Sequence, residues 1–205
     1  MSTDIQDAKF DTVKERPGGR SSQVKMAVMN GVRSELSRVG YSKLSHRGVA
    51  AAADVNHVTV YRRWPTKARL VADLFRDLAA DLVPIPDTGS LHGDFDAYLS
   101  SIVQMLNDQS LKHLLQTFFV ASFDGDEAVE SVISEIWRER FSDAEIMIDR
   151  AVERAEIPVT ERGNDALECL VSPVWFRTFI SRKPIDGKFI DQLAAQASSL
   201  LKTAK

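Results

Sequence analysis

Apolar residues recur along this chain at intervals of three and four. Val28, Val32, Leu36 and Val39 open the series, and that is the spacing of one face of an α-helix. Ser21 or Ser22 can cap this helix and Gly40 can stop it, which predicts a helix over about 22–39. Ser45 can open an Ala-rich second helix over about 46–53, interrupted by Asp54-Val55-Asn56. A third, over about 57–63, ends before Pro65, because the residue preceding a proline is pushed out of the helical region. Thr66 is placed to open a fourth helix with Leu70, Val71, Leu74, Phe75, Leu78 and Leu82 as its stripe, and Pro84 and Pro86 break it. Five more segments follow: 91–106, 110–123, a long amphipathic stretch over 127–156 that can break inside, 165–181 capped by Asn164, and 187–202 capped by Asp186. No strand alternation competes over a comparable length. The pattern predicts an all-α chain of about nine helices.

Composition narrows the picture. The chain has 205 residues, 44% apolar and 27% charged, which is ordinary for a globular protein and excludes wholesale disorder, collagen and a disulfide scaffold. A lone cysteine, Cys169, allows no internal disulfide and no cysteine-based metal cluster, and is expected to be a small buried hydrophobe. No apolar run approaches 18 residues and no signal-type stretch opens the chain, so a cytoplasmic protein without a membrane span is expected. Residues 1–20, with Pro17-Gly18-Gly19, read as a flexible tail. Arg16 and Arg20 within it suit a solvated tail better than an arm for a minor groove.

Charge changes the reading most. The formal net charge of −3 hides an asymmetry: residues 1–70 carry 13 basic against 6 acidic side chains, and residues 71–205 carry 13 against 23. Within 21–70, nine basic residues face only Glu35 and Asp54. A basic head on an acidic body suits an anionic partner for the head.

Three short helices over 22–64, the last two joined by a three-residue turn, have the spacing of a helix-turn-helix. In that motif the second helix crosses the DNA backbone and the third enters the major groove. Val49, Ala50, Ala53, Val55 and Val60 are the candidate core. The stretch GYSKLSHRGVAAAADVNHVTVYRRWPTKARLV, residues 40–71, resembles the DNA-binding domain of the TetR family of transcriptional regulators. The family pattern maps without a gap onto Gly40-Tyr41, Ser45, Ala50 to Ala53, Val55 and Thr59-Val60-Tyr61-Arg62-Arg63-Trp64-Pro65-Thr66-Lys67. The chain departs from it at Asp54, where the family usually has the glycine of a left-handed turn, and at Val58, where Gly or Ala is common. The C-terminal SPVWFRTFISRKPIDGKFIDQLA resembles one large branch of the family.

The resemblance implies an N-terminal helix-turn-helix DNA-binding domain over 21–66, a connecting helix over 67–82 and a C-terminal ligand-binding and dimerisation domain over 83–205. It implies a sequence-specific regulator, most often a repressor, that binds a roughly palindromic double-stranded operator as a homodimer. Thr59, Tyr61 and Lys67 match backbone-clamping positions, with Ser45 opening the second helix. Arg47, His57, Val58 and Arg62 sit where family members read or flank bases; an arginine can fork guanine O6 and N7. Trp64 reads as core, and Arg63 as either a solvated charge or a contact.

Segment 166–180, ALECLVSPVWFRTFI, is apolar on nearly every side and must be covered on every side. Together with the last helix it resembles the family's dimer interface, with Leu170, Val174, Trp175, Phe189, Leu193, Ala197 and Leu200 as contact residues. Phe118, Phe119, Phe123, Trp137, Phe141, Trp175 and Phe176 are candidate walls for a small hydrophobic or aromatic effector, with ordinary core as the alternative for each. His92 and His113 have no third ligand in register, so no metal is expected, and no cofactor or catalytic group is implied. Two other readings stay open: a regulator of the same fold with no small-molecule ligand, and a helical carrier or enzyme whose basic head is incidental.

Overall fold

The computed structural model describes residues 19–123 and 125–202. Arg16 and most of the expected tail lie outside them. Ten α-helices are found among the described residues: α1 (Arg20–Lys43), α2 (His46–Ala52), α3 (His57–Arg63), α4 (Lys67–Leu82), α5 (Leu91–Asn107), α6 (Gln109–Phe123), α7 (Glu127–Ala144), α8 (Ile146–Glu153), α9 (Gly163–Phe176) and α10 (Gly187–Lys202). The chain is all-α. The tenth helix arises because the long stretch over 127–156 breaks at Glu145 into α7 and α8.

Local chemistry explains most boundaries. Ser45, Thr66, Ser90 and Asp126 each accept a hydrogen bond from a backbone N–H in the first turn of the helix they open, satisfying donors that have no partner inside the helix. Asp186 does the same for α10 through the Phe189 N–H at 2.9 Å. Two expected caps are not used. α1 begins at Arg20 behind Gly19, ahead of Ser21 and Ser22, and α9 begins at Gly163, ahead of Asn164.

α1, α2 and α3 pack around Val28, Val32, Leu36, Val49, Val60 and Trp64. Gly31 permits the α1–α2 approach: a Cβ there would lie 2.9 Å from the Val49 carbonyl. Gly40, at φ 73°, breaks α1 before its last turn, a conformation costly for any residue with a Cβ. Asp54 adopts φ 52° in the α2–α3 turn, the left-handed geometry for which the family uses glycine. This apolar cluster continues through Leu70, Val71 and Phe75 of α4 into Leu111, Leu114 and Phe118 of α6 and Val129 and Val132 of α7.

A second cluster fills the body. Phe95, Tyr98 and Leu99 of α5, Met147 of α8, Leu167 and Leu170 of α9 and Leu201 of α10 are buried in it. α9 passes through Pro173 and then widens into a π turn, Arg177–Ser181, which ends at Arg182 with φ 55°.

Candidate nucleic-acid interface

α3 is seven residues long and buries only Val60. The rest of it faces outward: His57 and Arg62 are exposed, Val58 and Tyr61 are 58% and 60% exposed, and Thr59 is half-buried. Arg47 of α2 and Ser45 before it are exposed too. A large apolar side chain this open at the first turn of a short basic helix contributes nothing to the core. It suits contact with a partner's apolar group, such as a thymine methyl. The turn that aims α3 is held by Asn56, whose side chain accepts from the Val58 N–H at 2.8 Å.

The structure supplies supports that the sequence did not announce. His46 Nε2 lies 2.6 Å from the Trp64 carbonyl; a carbonyl only accepts, so Nε2 carries the proton. The same ring meets Tyr61 edge-on, with centroids 5.4 Å apart, so one histidine steadies both the end of α3 and a candidate backbone clamp. Its position directly after a Ser N-cap was the available signal. Trp64, buried as expected, donates its indole N–H to Asp73 Oδ2 at 2.7 Å. Arg63 places its guanidinium 4.9 Å from the Trp64 ring centroid.

Lys67 departs from the simple picture of a lysine projecting toward a phosphate. Its ammonium lies 4.3 Å from the Tyr41 ring centroid and donates to the Tyr41 carbonyl at 3.4 Å. Tyr41 is itself buried, edge-on to Phe118 with centroids 5.5 Å apart. Burial, reinforced by Asp126, pushes its hydroxyl well above the usual tyrosine range.

α4 carries the connection onward. Arg76 bonds Asp73 at 3.1 Å on its own helix, and Glu135 at 2.9 Å and Glu139 at 2.6 Å on α7. Asp73 thus joins Trp64, at the end of α3, to an ion-pair cluster on the body. Further along, Phe75, Leu78, Ala79 and Val83 line a partly open cavity of about 100 Å³ between α4, α5, α6, α7 and α9.

Four of the predicted effector walls meet in that cavity: Phe118, Phe119, Trp137 and Trp175. Two do not. Phe141 packs on Trp137 behind the cavity wall, with centroids 5.6 Å apart. Phe176 is 56% exposed and lines an outer groove with Ile180 and Val120, because it points away from the side of α9 that carries Leu170 and Val174. Phe123, considered with them, is 86% exposed in the same outer groove. Sequence reasoning missed Phe75, Tyr98 and Arg140 as lining residues; aliphatic side chains of α5, α6 and α7 supply most of the rest. The available signal for Arg140 was a charge three residues after Trp137, on the same side of one helix.

The predicted partner contacts also need correction. Leu170, Val174, Leu193 and Ala197 are fully or almost fully buried within this chain's own core; an interior side chain cannot meet a second subunit. Trp175 is half-buried, stacked on Phe179 and edge-on to Trp137 and Phe119. Phe189 is half-buried beneath the Arg177 guanidinium, and Leu200 is half-buried. The exposed positions of α9 and α10 include Cys169, Ser172, Phe176, Gln192, Ala195 and Ser199, with Glu168 and Asp191 one turn from Ser172 and Ala195. Cys169 is therefore exposed, not interior.

Comparison with known proteins agrees with this anatomy. A model of the tetracyclin repressor-like C-terminal domain matches residues 85–197, and a model of bacterial regulatory proteins of the tetR family matches residues 30–74. The chain is 31% identical to the HTH-type transcriptional regulator AqdR of Rhodococcus erythropolis over 143 residues, 70% of this chain and 68% of that one. It is 31% identical to the DNA-binding transcriptional repressor TetR of Mycobacteroides abscessus over 163 residues, 77% of this chain and 83% of that one. Among solved structures, the TetR family transcription regulator SCO0332 shares the fold with a TM-score of 0.72 at 22% identity, covering 86% of this chain and 97% of that one. The flavonoid-responsive regulator FrrA shares it with a TM-score of 0.63 at 15% identity, covering 88% and 95%. No described helix is long and apolar enough to cross a membrane. With a family domain spanning more than half its length behind an outward-facing basic helix-turn-helix, the chain belongs to the TetR family and is a DNA-binding regulator of transcription, not an enzyme.

Proposed function

We propose that this regulator is a cytoplasmic homodimeric repressor, released from a roughly palindromic operator by a small apolar or aromatic molecule held in the cavity beside α4. One observation carries the reading: α4 begins at Lys67 beside the reading helices and forms a cavity wall at Phe75, Leu78 and Ala79. Residues 21–66 act as the reading head, 67–82 as the connecting element and 83–205 as the effector and dimer domain. An occupant that displaces Phe75 or Phe118 moves α4, and with it α3. In a dimer the two copies of α3 must span roughly 34–36 Å, one DNA turn, so small displacements mismatch the duplex. The fold relative FrrA is named for its response to flavonoids, an aromatic class.

In this reading Arg47, His57, Val58 and Arg62 face base edges, while Ser45, Thr59, Tyr61 and Lys67 face phosphates. Lys67 must then leave the Tyr41 ring to reach one. The dimer forms through the open face of α9 and α10, where Ser172, Ala195 and Ser199 are small enough for close helix approach and Phe176 supplies apolar area.

The test is operator selection from random duplexes, followed by binding at increasing salt. Neutralising about 6–10 phosphates should cost ~10³-fold or more in affinity between 50 and 200 mM salt. A shallow dependence, or equal affinity for all duplexes, refutes specific binding. Ser172→Arg together with Ala195→Arg should yield a folded monomer that no longer distinguishes the full operator from a half-site, as read by sedimentation and titration. A variant that stays dimeric places the interface elsewhere.

A further inference from the structure

We propose that the cavity selects an apolar, single-ring molecule bearing a carboxylate, and that Arg140 is the residue that recognises it. The inference rests on the reading of the cavity as an effector site and adds the chemistry of the ligand. Among the described residues that line the cavity, Arg140 alone is charged; the others are apolar or aromatic. A cation in such a wall is costly unless it is paired. Arg140 donates through Nη2 to the backbone carbonyl of Val83 and stacks on Tyr98, 5.3 Å from the ring centroid. Those are neutral partners, whereas a guanidinium offers five N–H donors in a fork that matches a carboxylate.

Three surroundings sharpen this. Asp143, one turn further along α7, is exposed and outside the lining; its charge reaches the Tyr98 hydroxyl, which Arg140 also bonds, but no acidic side chain lines the cavity among the described residues. Trp175 lines the same cavity, and its indole N–H is buried with no acceptor among the described residues. Trp137, three residues before Arg140, meets Trp175 with ring centroids 5.1 Å apart. Trp175 also borders the outer groove; in the proposed pose an acceptor on the ligand meets Arg140 and takes up the unpartnered Trp175 N–H beside it. The volume of about 100 Å³, against roughly 150 Å³ for an apolar cavity that takes up benzene, leaves room for no more than one ring without outward displacement of the lining.

The position of Arg140 ties recognition to the switch. Val83 is the C-cap residue of α4. A carboxylate that draws the guanidinium onto itself removes a bond holding the body-side end of the connecting helix.

The test uses the full-length protein with benzoate and toluene as probes, titrated by calorimetry and by ligand-observed NMR. Toluene measures the cavity alone; benzoate measures the cavity plus Arg140. Wild type should bind benzoate more tightly than toluene. Arg140→Met should weaken benzoate about 10–100-fold, the value of a lost charge-assisted bond, and leave toluene unchanged, which also reports that the variant is folded. Arg140→Lys should restore part of the loss, and Trp175→Phe should weaken benzoate but not toluene. Equal affinity for both probes in wild type, or benzoate binding indifferent to Arg140→Met, overturns the assignment while leaving an apolar effector cavity standing. If neither probe binds, the effector reading of the cavity falls with it. Benzoate should also lower operator affinity in wild type and not in Arg140→Met; release unaffected by the substitution removes the link to α4.

Discussion

α3 and α9 solve opposite problems. α3 is seven residues long, buries Val60 alone and leaves Val58 and Tyr61 more than half exposed. α9 is 14 residues long and buries Gly163, Ala166, Leu167, Leu170, Val171 and Val174. A helix as short as α3 cannot hold its own shape, since nucleation consumes most of what its few hydrogen bonds return. Its stability is borrowed from Asn56 at the front, from His46 and Trp64 at the back, and from the shared core. α9 is held by its own burial, at roughly 1.5–3 kcal/mol per large side chain, and its functional question is which of its surfaces stays open. The head thus leaves its polar and basic side chains outside on few supports, while the body buries most of its large side chains on many.

Removing a support should separate the two regions most strongly. Trp64→Ala should cost about 3–5 kcal/mol through lost packing and a cavity, and should abolish operator binding at temperatures where the body is still folded. Trp64→Phe should lose chiefly the bond to Asp73, about 1 kcal/mol. Phe95→Ala, equally buried in the body, should cost a comparable amount while leaving the preferred operator sequence unchanged. Thermal unfolding followed alongside operator titration distinguishes them. If Phe95→Ala altered sequence preference, the division of labour between head and body would be wrong.

A smaller effect divides the candidate DNA contacts of the head. Arg62→Ala or Arg47→Ala should relax preference at particular base pairs by about 1–3 kcal/mol. Lys67→Ala should weaken all duplexes alike and lower the salt slope by about one. Because Lys67 rests on Tyr41, its substitution should also loosen the last turn of α1, visible as faster amide exchange over 41–43. A changed consensus sequence with Lys67→Ala would exchange these roles.

The smallest effect is a pH dependence confined to the body. The Leu91 N–H bonded to Glu156 at 2.9 Å, with Arg154 beside it, holds the Glu156 carboxyl below the usual glutamate range. A carboxyl lowered in the folded state adds stability above its unfolded value, about 4.3. That contribution is lost as pH falls through the lower folded value. Glu156→Gln should therefore flatten the acid side of the melting profile and quicken exchange at the start of α5, with operator preference at neutral pH unaffected. An unchanged acid profile would show that this contact does not report on the body.

The sequence by itself determined the helical class, most helix boundaries and the exposure of most candidate contact residues of the head. Those features are local: caps act within one turn, the stripe repeats every three or four residues, and Asp54 is a residue type that tolerates a left-handed turn better than most. Exposed side chains on α3 are legible because nothing else in the described chain packs over them. Tertiary structure alone decided which apolar residues of α9 and α10 face inward. Leu170 and Phe176 look alike in sequence, and only the packing of α5 and α10 against one side of α9 makes one core and leaves the other on the surface. It also decided that Lys67 rests on Tyr41, that Asp73 links Trp64 to Arg76, and that Arg140 enters an apolar cavity. Each of these joins residues from separate helices, and the distance between helices is set by the whole fold, which no local pattern encodes.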